Sequence, residues 1–330
     1  MGRAAALTSV LIWGVQFSVL AAALRRLDAY HFSSLRFALG ALVVALVLVW
    51  REGRGALRYE GRLLAATGYG AAGFAAFSIL LIVALGYTSP QNVALVAATS
   101  PILTQLLRWV LDGVRPHPAI LALAVAALAG LALVITKGQL GGFGAFGLGD
   151  LMALGAALGW SIFTYGAGKF PGWSPLRYTT LTMIGGAGVT IAVTVIADLT
   201  GLAHLPAISA VWAVTPHLVY VAVIGSVLAA GVWTVAVRSL GATTAVLFMN
   251  LVPIIALLVA VATGARLSAV ELLGAAITVA ALLGAAAVHR RVTATAARAA
   301  GSASTPAVSV PASVVSVPAS AAQVPVRSEA

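Results

Sequence analysis

Apolar residues in this chain come in long continuous runs separated by short polar stretches. Ten such runs lie near residues 4–23, 32–50, 63–85, 91–111, 118–136, 149–168, 176–197, 216–237, 241–263 and 268–288. They do not alternate apolar with polar positions, so the pattern predicts helices and not the strands of a barrel. Each is close to the roughly 20 residues a helix needs to cross a hydrocarbon core of about 30 Å. The first run sits where a signal peptide would, but it is longer than an ordinary signal core and nine more follow it. It is read as a helix. From about residue 292 the pattern changes to Ala, Ser, Val and Pro, and Ser309-Val310-Pro311-Ala312-Ser313 recurs at 316–320. Regularly spaced Pro and Ser build neither helix nor core, so 292–330 is expected to be a disordered cytoplasmic tail.

Composition narrows the class. Hydrophobic residues make up 61% of the chain and charged residues 8%, against roughly 45–50% and 25% in soluble domains. A water-soluble globule could not cover its surface with so few charges. A soluble enzyme, a disordered scaffold and a disulfide-stapled secreted domain are excluded. A polytopic all-α membrane protein remains, with the lipid bilayer as its surroundings. The chain has no cysteine, hence no disulfide, zinc–thiolate site or thiol nucleophile. The net charge of +11 does not point to nucleic acid, because the basic residues stand singly or in pairs between apolar runs and form no stripe. They alternate between loops instead. With the N-terminus in the cytoplasm, fourteen of the 19 Lys and Arg fall on the inner side, chiefly Arg51, Arg54, Arg58, Arg62 and the C-terminal arginines. The positive-inside bias therefore places both termini in the cytoplasm.

The sequence also repeats itself. Ala84-Leu85, Val93-Ala94-Leu95 and Ser100-Pro101-Ile102-Leu103 match Ala236-Val237, Ala245-Val246-Leu247 and Val252-Pro253-Ile254-Ile255 without a gap. Leu35-Arg36-Phe37 pairs with Leu176-Arg177-Tyr178, and Trp13-Gly14 with Trp160-Ser161. The repeats span 1–137 and 149–288, and each holds five runs. An odd number forces the two halves to cross the membrane in opposite senses, the inverted-repeat plan of many secondary transporters. The expected architecture is two inverted five-helix repeats, ten transmembrane helices in all, around a central cavity.

With these residues in view, the chain resembles the drug/metabolite transporter superfamily, specifically its EamA-type ten-helix transporters. The likeness rests on Leu35-Arg36-Phe37, on Ala94-Leu95 through Ser100-Pro101, and on Gly149-Asp150-Leu151-Met152-Ala153-Leu154 with Trp160. It continues from Leu240-Gly241-Ala242 through Pro253 to Glu271-Leu272-Leu273-Gly274-Ala275. The resemblance implies a permease of the bacterial inner membrane, commonly an exporter of amino acids, related metabolites or drugs. One departure stands out. The Gly-Glu pair usual after the fourth and ninth spans is replaced by Leu111-Asp112-Gly113 and by Thr263-Gly264-Ala265.

Charges inside a membrane are costly and normally functional. No carboxylate falls at a predicted midplane; Asp112, Asp150, Asp198 and Glu271 all sit at run ends. Two readings of Arg36 stand side by side: it snorkels to the interface, or it points inward and pairs with a substrate carboxylate through its guanidinium fork. The five histidines are scattered without ligand spacing, so no metal is expected, and no cofactor either. Trp13, Trp160 and Trp233 lie deep in their runs, beside Gln16, Tyr69, Asn92, Thr104, Gln105, Tyr165 and Asn250. Polar groups at this depth need partners or a wet cavity, so these residues and Arg36 are the cavity candidates. Hydrogen bonding between helices is the plainer alternative. Trp50, Trp109, Trp173 and Trp212 read as interface-belt residues. Pro101 and Pro253 fall mid-run and are candidate hinges.

No Gly-Lys-Ser/Thr loop is present, so ATP is not the direct driver. The expected function is secondary transport of a small molecule, outward, by alternating access. A nucleotide-sugar or lipid-linked sugar carrier, and a non-transporting sensor or scaffold, are the alternatives. Monomer and homodimer both fit the small-residue stripes.

Overall fold

The computed structural model describes residues 1–303 except 85, 89–92, 94, 95, 97, 140–146, 263 and 265–267. The described residues form helices and turns, with no strand among them. In chain order the helices are α1 (Gly2–Ala23), α2 (Ala29–Glu52), α3 (Leu63–Ala84), α4 (Ser100–Asp112), α5 (Pro118–Thr136) and α6 (Leu148–Gly166). They are followed by α7 (Pro175–Leu199), α8 (Ile208–Leu240), α9 (Ala242–Ala245), α10 (Leu251–Ala262) and α11 (Ala269–Ala303). Among the described residues, α2, α3, α5, α7 and α8 are each long and apolar enough to cross a membrane.

Local sequence sets the helix ends. Asp28 caps α2, its Oδ1 accepting from the backbone N–H groups of Tyr30 and His31, both at 3.0 Å. Ser174 caps α7 by accepting from the Arg177 N–H at 2.9 Å, with Pro175 in the first turn where a missing N–H costs nothing. Gly113 stops α4 in the left-handed region, φ 68°. The same logic relocates the two prolines expected mid-helix. Pro101 falls in the first turn of α4, and Pro253 is the third residue of α10, after a 3-10 segment over Val246–Asn250. The fourth and ninth apolar runs are thus not single helices. A proline cannot donate to the preceding turn, so the helix starts at it and does not run through it.

Two helices carry a defect that periodicity did not predict. The centre of α3, Ala71–Ala76, and the centre of α8, Tyr220–Leu228, are π-helical. Both lie in the third apolar run of their half.

Packing follows a mirrored scheme. Helix α1 runs antiparallel to α8: the Ser9 hydroxyl donates to the Ala229 carbonyl at 2.9 Å and the Trp13 indole to the Gly225 carbonyl at 2.9 Å. Helix α6 lies antiparallel to α3, where Gly159 approaches Ala72 and Gly166 approaches Tyr69. Helices α2 and α7 cross antiparallel between them, tied by Ser34 to Thr194 at 2.7 Å. Helices α5 and α11 meet through Gly130 and Gly274, each close against the other's carbonyl, and through Thr278 donating to Ala127 at 3.2 Å. The Gly155–Gly159 and Gly274–Thr278 stripes are therefore used inside the chain.

The chain divides into a unit of residues 1–289 and a segment 290–330. Residues 292–303, expected in the tail, are helical as the end of α11. Alanine there supplies helix propensity that the later Pro-Ser repeat lacks. The rest of the expected tail, 304–330, lies outside the described residues.

Candidate functional site: a one-sided cavity on the central seam

The mirrored packing leaves a cavity of about 140 Å³ between the two halves. Helix α1 contributes Trp13 and Gln16, α2 contributes Ser33, Arg36 and Phe37, and α6 contributes Trp160. Much of the rest of the wall comes from the two π-helical segments and the turns beside them, Gly73, Phe74, Phe77 and Ser78 of α3 and Gly225 and Ser226 of α8, with Met249 and Val252 from the ninth run. A π turn widens the helix and turns backbone carbonyls sideways. Here it brings Gly225 O into reach of Trp13, and it lets Gly73 and Gly225 meet the facing helices where a larger residue would collide.

The polar groups in this wall are incompletely matched. Arg36 Nη2 donates to Ser78 Oγ at 3.2 Å, and the guanidinium lies 4.3 Å from the centre of the Phe37 ring. Its buried Nε has no partner, and neither have Gln16 Oε1 and Trp160 Nε1. The seven carboxylates among the described residues all lie elsewhere, so the Arg36 charge faces no anion.

Aromatic rings close the cavity on one side. Trp13, Trp160 and Trp233 form a triangle with centroid separations of 5.2, 5.5 and 6.0 Å. Below it the stack continues through Phe163, Tyr178, Phe170 and Trp173. This column runs toward the end of the bundle that holds the N-terminus, where Gly2 touches Ser239 and Leu240. The cavity extends the other way, past Leu20, Leu24 and Phe32, toward the end that holds Asp28, His31 and Asp198.

Ion pairs between the halves fasten the closed end. Asp112 of α4 accepts from the Tyr165 hydroxyl at 2.6 Å and from Lys169 Nζ at 2.7 Å. The bond to Asp112 comes first, and that to Tyr165 second, in holding the Lys169 ammonium above its usual range. Arg108 also donates across the halves to Thr243 at 2.8 Å, while within the second half Arg238 donates to the carbonyls of Ala167, Phe170 and Trp173. Glu60 accepts from the Trp173 indole at 3.0 Å and pairs with Arg177 at 2.8 Å. A recess of about 500 Å³ opens beside Arg108, Asp112, Tyr165, Lys169 and Arg238. At the other end His31 stands between Asp28, at 2.8 Å, and Asp198, at 3.2 Å.

A sequence model of the EamA-like transporter family matches residues 1–136 and 147–287. The chain belongs to the EamA-like transporter family. It is therefore a membrane transporter of the drug/metabolite superfamily. It is 28% identical over 282 residues to the uncharacterized transporter YrdR of Bacillus subtilis, covering 83% of this chain and 87% of that one. YyaM of the same organism, also an uncharacterized transporter, is 29% identical over 260 residues, covering 77% and 83%. An uncharacterized transporter of Archaeoglobus fulgidus is 26% identical over 250 residues, covering 74% and 83%. A solved crystal structure shares the fold, with a TM-score of 0.70 at 22% identity over 88% of this chain and 98% of the other.

In this EamA-like chain the cavity candidates separate into groups. Trp13, Gln16, Arg36 and Trp160 line the cavity. Trp233 is fully buried beneath it, its indole donating to Thr164 at 3.2 Å. Tyr69 packs edge-on against Phe170 in the closed end, and Tyr165 belongs to the Asp112 cluster. Thr104, Gln105 and Asn250 are buried away from the wall; Gln105 donates to the Pro101 carbonyl at 3.3 Å, and both polar atoms of the Asn250 amide lack partners. Asn92 lies outside the described residues. Trp173, read as a belt residue, is buried because Phe170 and Glu60 engage it, whereas Trp50, Trp109 and Trp212 are exposed. Phe74, Phe77, Ser33 and Ser226 escaped sequence reasoning. Ser33 of α2 carries no signal, and the only signal for the others is the glycine inside each π turn, a residue common throughout the chain. Among the described residues no group of three or more His, Asp or Glu is placed to hold a metal ion.

The Glu60 latch makes a pH prediction. Trp173, then Arg177, holds the Glu60 carboxyl below the usual carboxylate range. A group with a depressed folded pKa stabilises above its unfolded value, about 4.3 for Glu, and loses that contribution as pH falls through the folded value. Glu60→Gln is expected to lower Tm slightly at about pH 7, because Glu60 is half exposed and solvent screens the pair. The difference from wild type should shrink as pH falls below the usual carboxylate range and vanish once the carboxyl is protonated. Thermal unfolding in detergent across this range reads it out; an offset independent of pH would show that the lost bonds do not depend on the charge.

Proposed function

We propose that this protein is a secondary transporter that exports a small metabolite, such as an amino acid or a drug-like compound, across the bacterial inner membrane by alternating access. The observation that carries this reading is the one-sidedness of the seam cavity, closed at one end by an aromatic column and inter-half ion pairs and extended toward the other. A rocking motion of two halves converts such a state into its mirror image. The mirrored packing of α1 on α8 and α6 on α3, with a π-helical segment in the third run of each half, supports ten crossings in two inverted repeats, 1–137 and 149–288. The joints before Pro101 and Pro253, where helices start afresh, are the places in this scheme that absorb the motion. The charge bias of the loops puts the closed end and both termini in the cytoplasm.

The absence of native cysteine gives a direct test. Single cysteines are placed at Ser33, in the cavity, and at Gly168, in the recess of the closed end. In oriented vesicles each is expected to react with a membrane-impermeant maleimide from its own side only, and substrate should move reactivity between them. Counterflow of a radiolabelled amino acid and metabolite panel into proteoliposomes supplies the flux measurement. Fixed labelling combined with no counterflow of any compound would remove the transport reading.

A further inference from the structure

The cavity's chemistry constrains what it can hold. Among the described residues its one formal charge is the Arg36 guanidinium, in the interior of a helix bundle with a serine hydroxyl as its single hydrogen-bonding partner. Arg36 Nε is buried and unpartnered. An uncompensated charge at such depth is costly, and a fork of parallel N–H groups is the shape that fits a carboxylate. The Trp160 indole N–H is a second donor without an acceptor. The wall's unpartnered side-chain acceptor is the Gln16 amide oxygen, and no carboxylate among the described residues lines the cavity, so an ammonium would share it with the Arg36 charge that repels it, with only the weaker attraction of ring faces in place of a counter-ion.

We propose that the transported molecule is a net-anionic, amphipathic carboxylate: its carboxylate is anchored on Arg36 and its one-ring apolar body lies against Trp13, Trp160, Phe74 and Phe77, with no free ammonium. The volume of about 140 Å³ suits a single ring, since a cavity of roughly 150 Å³ admits benzene. This deepens the transporter reading and rests on it.

Three probes share one carbon skeleton and separate the terms: 3-phenylpropionate, its neutral amide, and phenylalanine, which adds an ammonium. Binding to the purified full chain is followed by quenching of tryptophan fluorescence. The carboxylate is expected to bind about 10- to 100-fold more tightly than the amide, the range of a charge-assisted hydrogen bond, and more tightly than phenylalanine. Arg36→Gln should erase the preference over the amide. Arg36→Lys, which keeps the charge and loses the fork, should retain part of it and serves if the glutamine variant does not fold. Equal binding of carboxylate and amide, tighter binding of phenylalanine, survival of the preference in Arg36→Gln, or no binding of any probe would each overturn the proposal. Counterflow of other compounds in the same proteoliposomes would leave the transporter reading standing in those cases. Absence of both counterflow and side-switching labels would sink that reading instead.

Discussion

Alanine at Gly70 is expected to remove most of the folded protein. Gly70 lies where α3 crosses α7, and a Cβ there would sit 1.8 Å from the Thr182 carbonyl oxygen and 3.0 Å from the Gly186 nitrogen. Gly186 is as tight in return, its own Cβ falling 2.6 Å from the Gly70 oxygen. The obstacle on both sides is backbone, which cannot turn aside as a side chain can. Overpacking ordinarily costs about 1–3 kcal/mol, and this site belongs at or above the top of that range. Net stabilities are only about 5–15 kcal/mol, so the loss should appear as aggregation on solubilisation or a large fall in Tm. Gly188→Ala, on the same α7 helix with nothing near the added methyl, is the control. It should be neutral or slightly stabilising, because alanine is the better helix former by about 1 kcal/mol. A Gly70→Ala protein with wild-type yield and Tm would show that the two backbones are not in contact.

The second large effect is expected at Asp112. Asp112→Asn keeps the shape of the side chain and deletes the charge that gathers Tyr165, Lys169 and Arg108. Lys169 and Arg108 then face each other, with Arg238 nearby, without an anion between them. Charged hydrogen bonds contribute about 1.5–3 kcal/mol when sheltered. Lys169 is 41% exposed, so a lower figure of about 1–2 kcal/mol is apt. Every 1.4 kcal/mol is about tenfold in an equilibrium. Maleimide reactivity of a cysteine at Gly168 should therefore rise by about an order of magnitude, and maximal flux should fall as the closed state becomes scarce. Exchanging the pair, Asp112→Lys with Lys169→Asp, should restore both. Unchanged reactivity in the single variant would mean that these bonds decorate the closed end and do not hold it.

The Arg36 proposal meets these predictions at one point. Both depend on the halves meeting across a seam where Arg36 has no carboxylate partner on the cavity side, while Asp112 and Glu60 each hold a cation of the other half on the closed side. A carboxylate bound at Arg36 would complete the missing pairing on the cavity side, which is one way a substrate could bias the rocking equilibrium.

Much of this could be read from the linear chain. Apolar runs of about 20 residues with so few charges leave no alternative to lipid-crossing helices, because backbone groups in hydrocarbon must bond within their own segment. The ordered motifs from Leu35-Arg36-Phe37 to Glu271-Leu272-Leu273-Gly274-Ala275 carried the resemblance to the family to which the chain belongs. Trp13 and Trp160, paired in the repeat, lie ring against ring, and Gln16 and Arg36 line the same cavity.

Depth in a run, however, does not say which way a side chain faces. Gln105 and Asn250 are as deep and as polar as Gln16, yet they are buried away from the wall. The π turns in α3 and α8 follow no hydrophobic period of the chain. Phe74 and Ser226 lie within them and Phe77 follows the first, and all three line the cavity. Likewise, proline signals a break but not its type: position in the run suggested a kink, while packing produced a fresh helix start. Hydropathy is a property of each segment and fixes what the segment is. Facing, closure and the pairing of Asp112 with Lys169 depend on contacts between segments far apart in the chain, and these exist only after the helices have assembled.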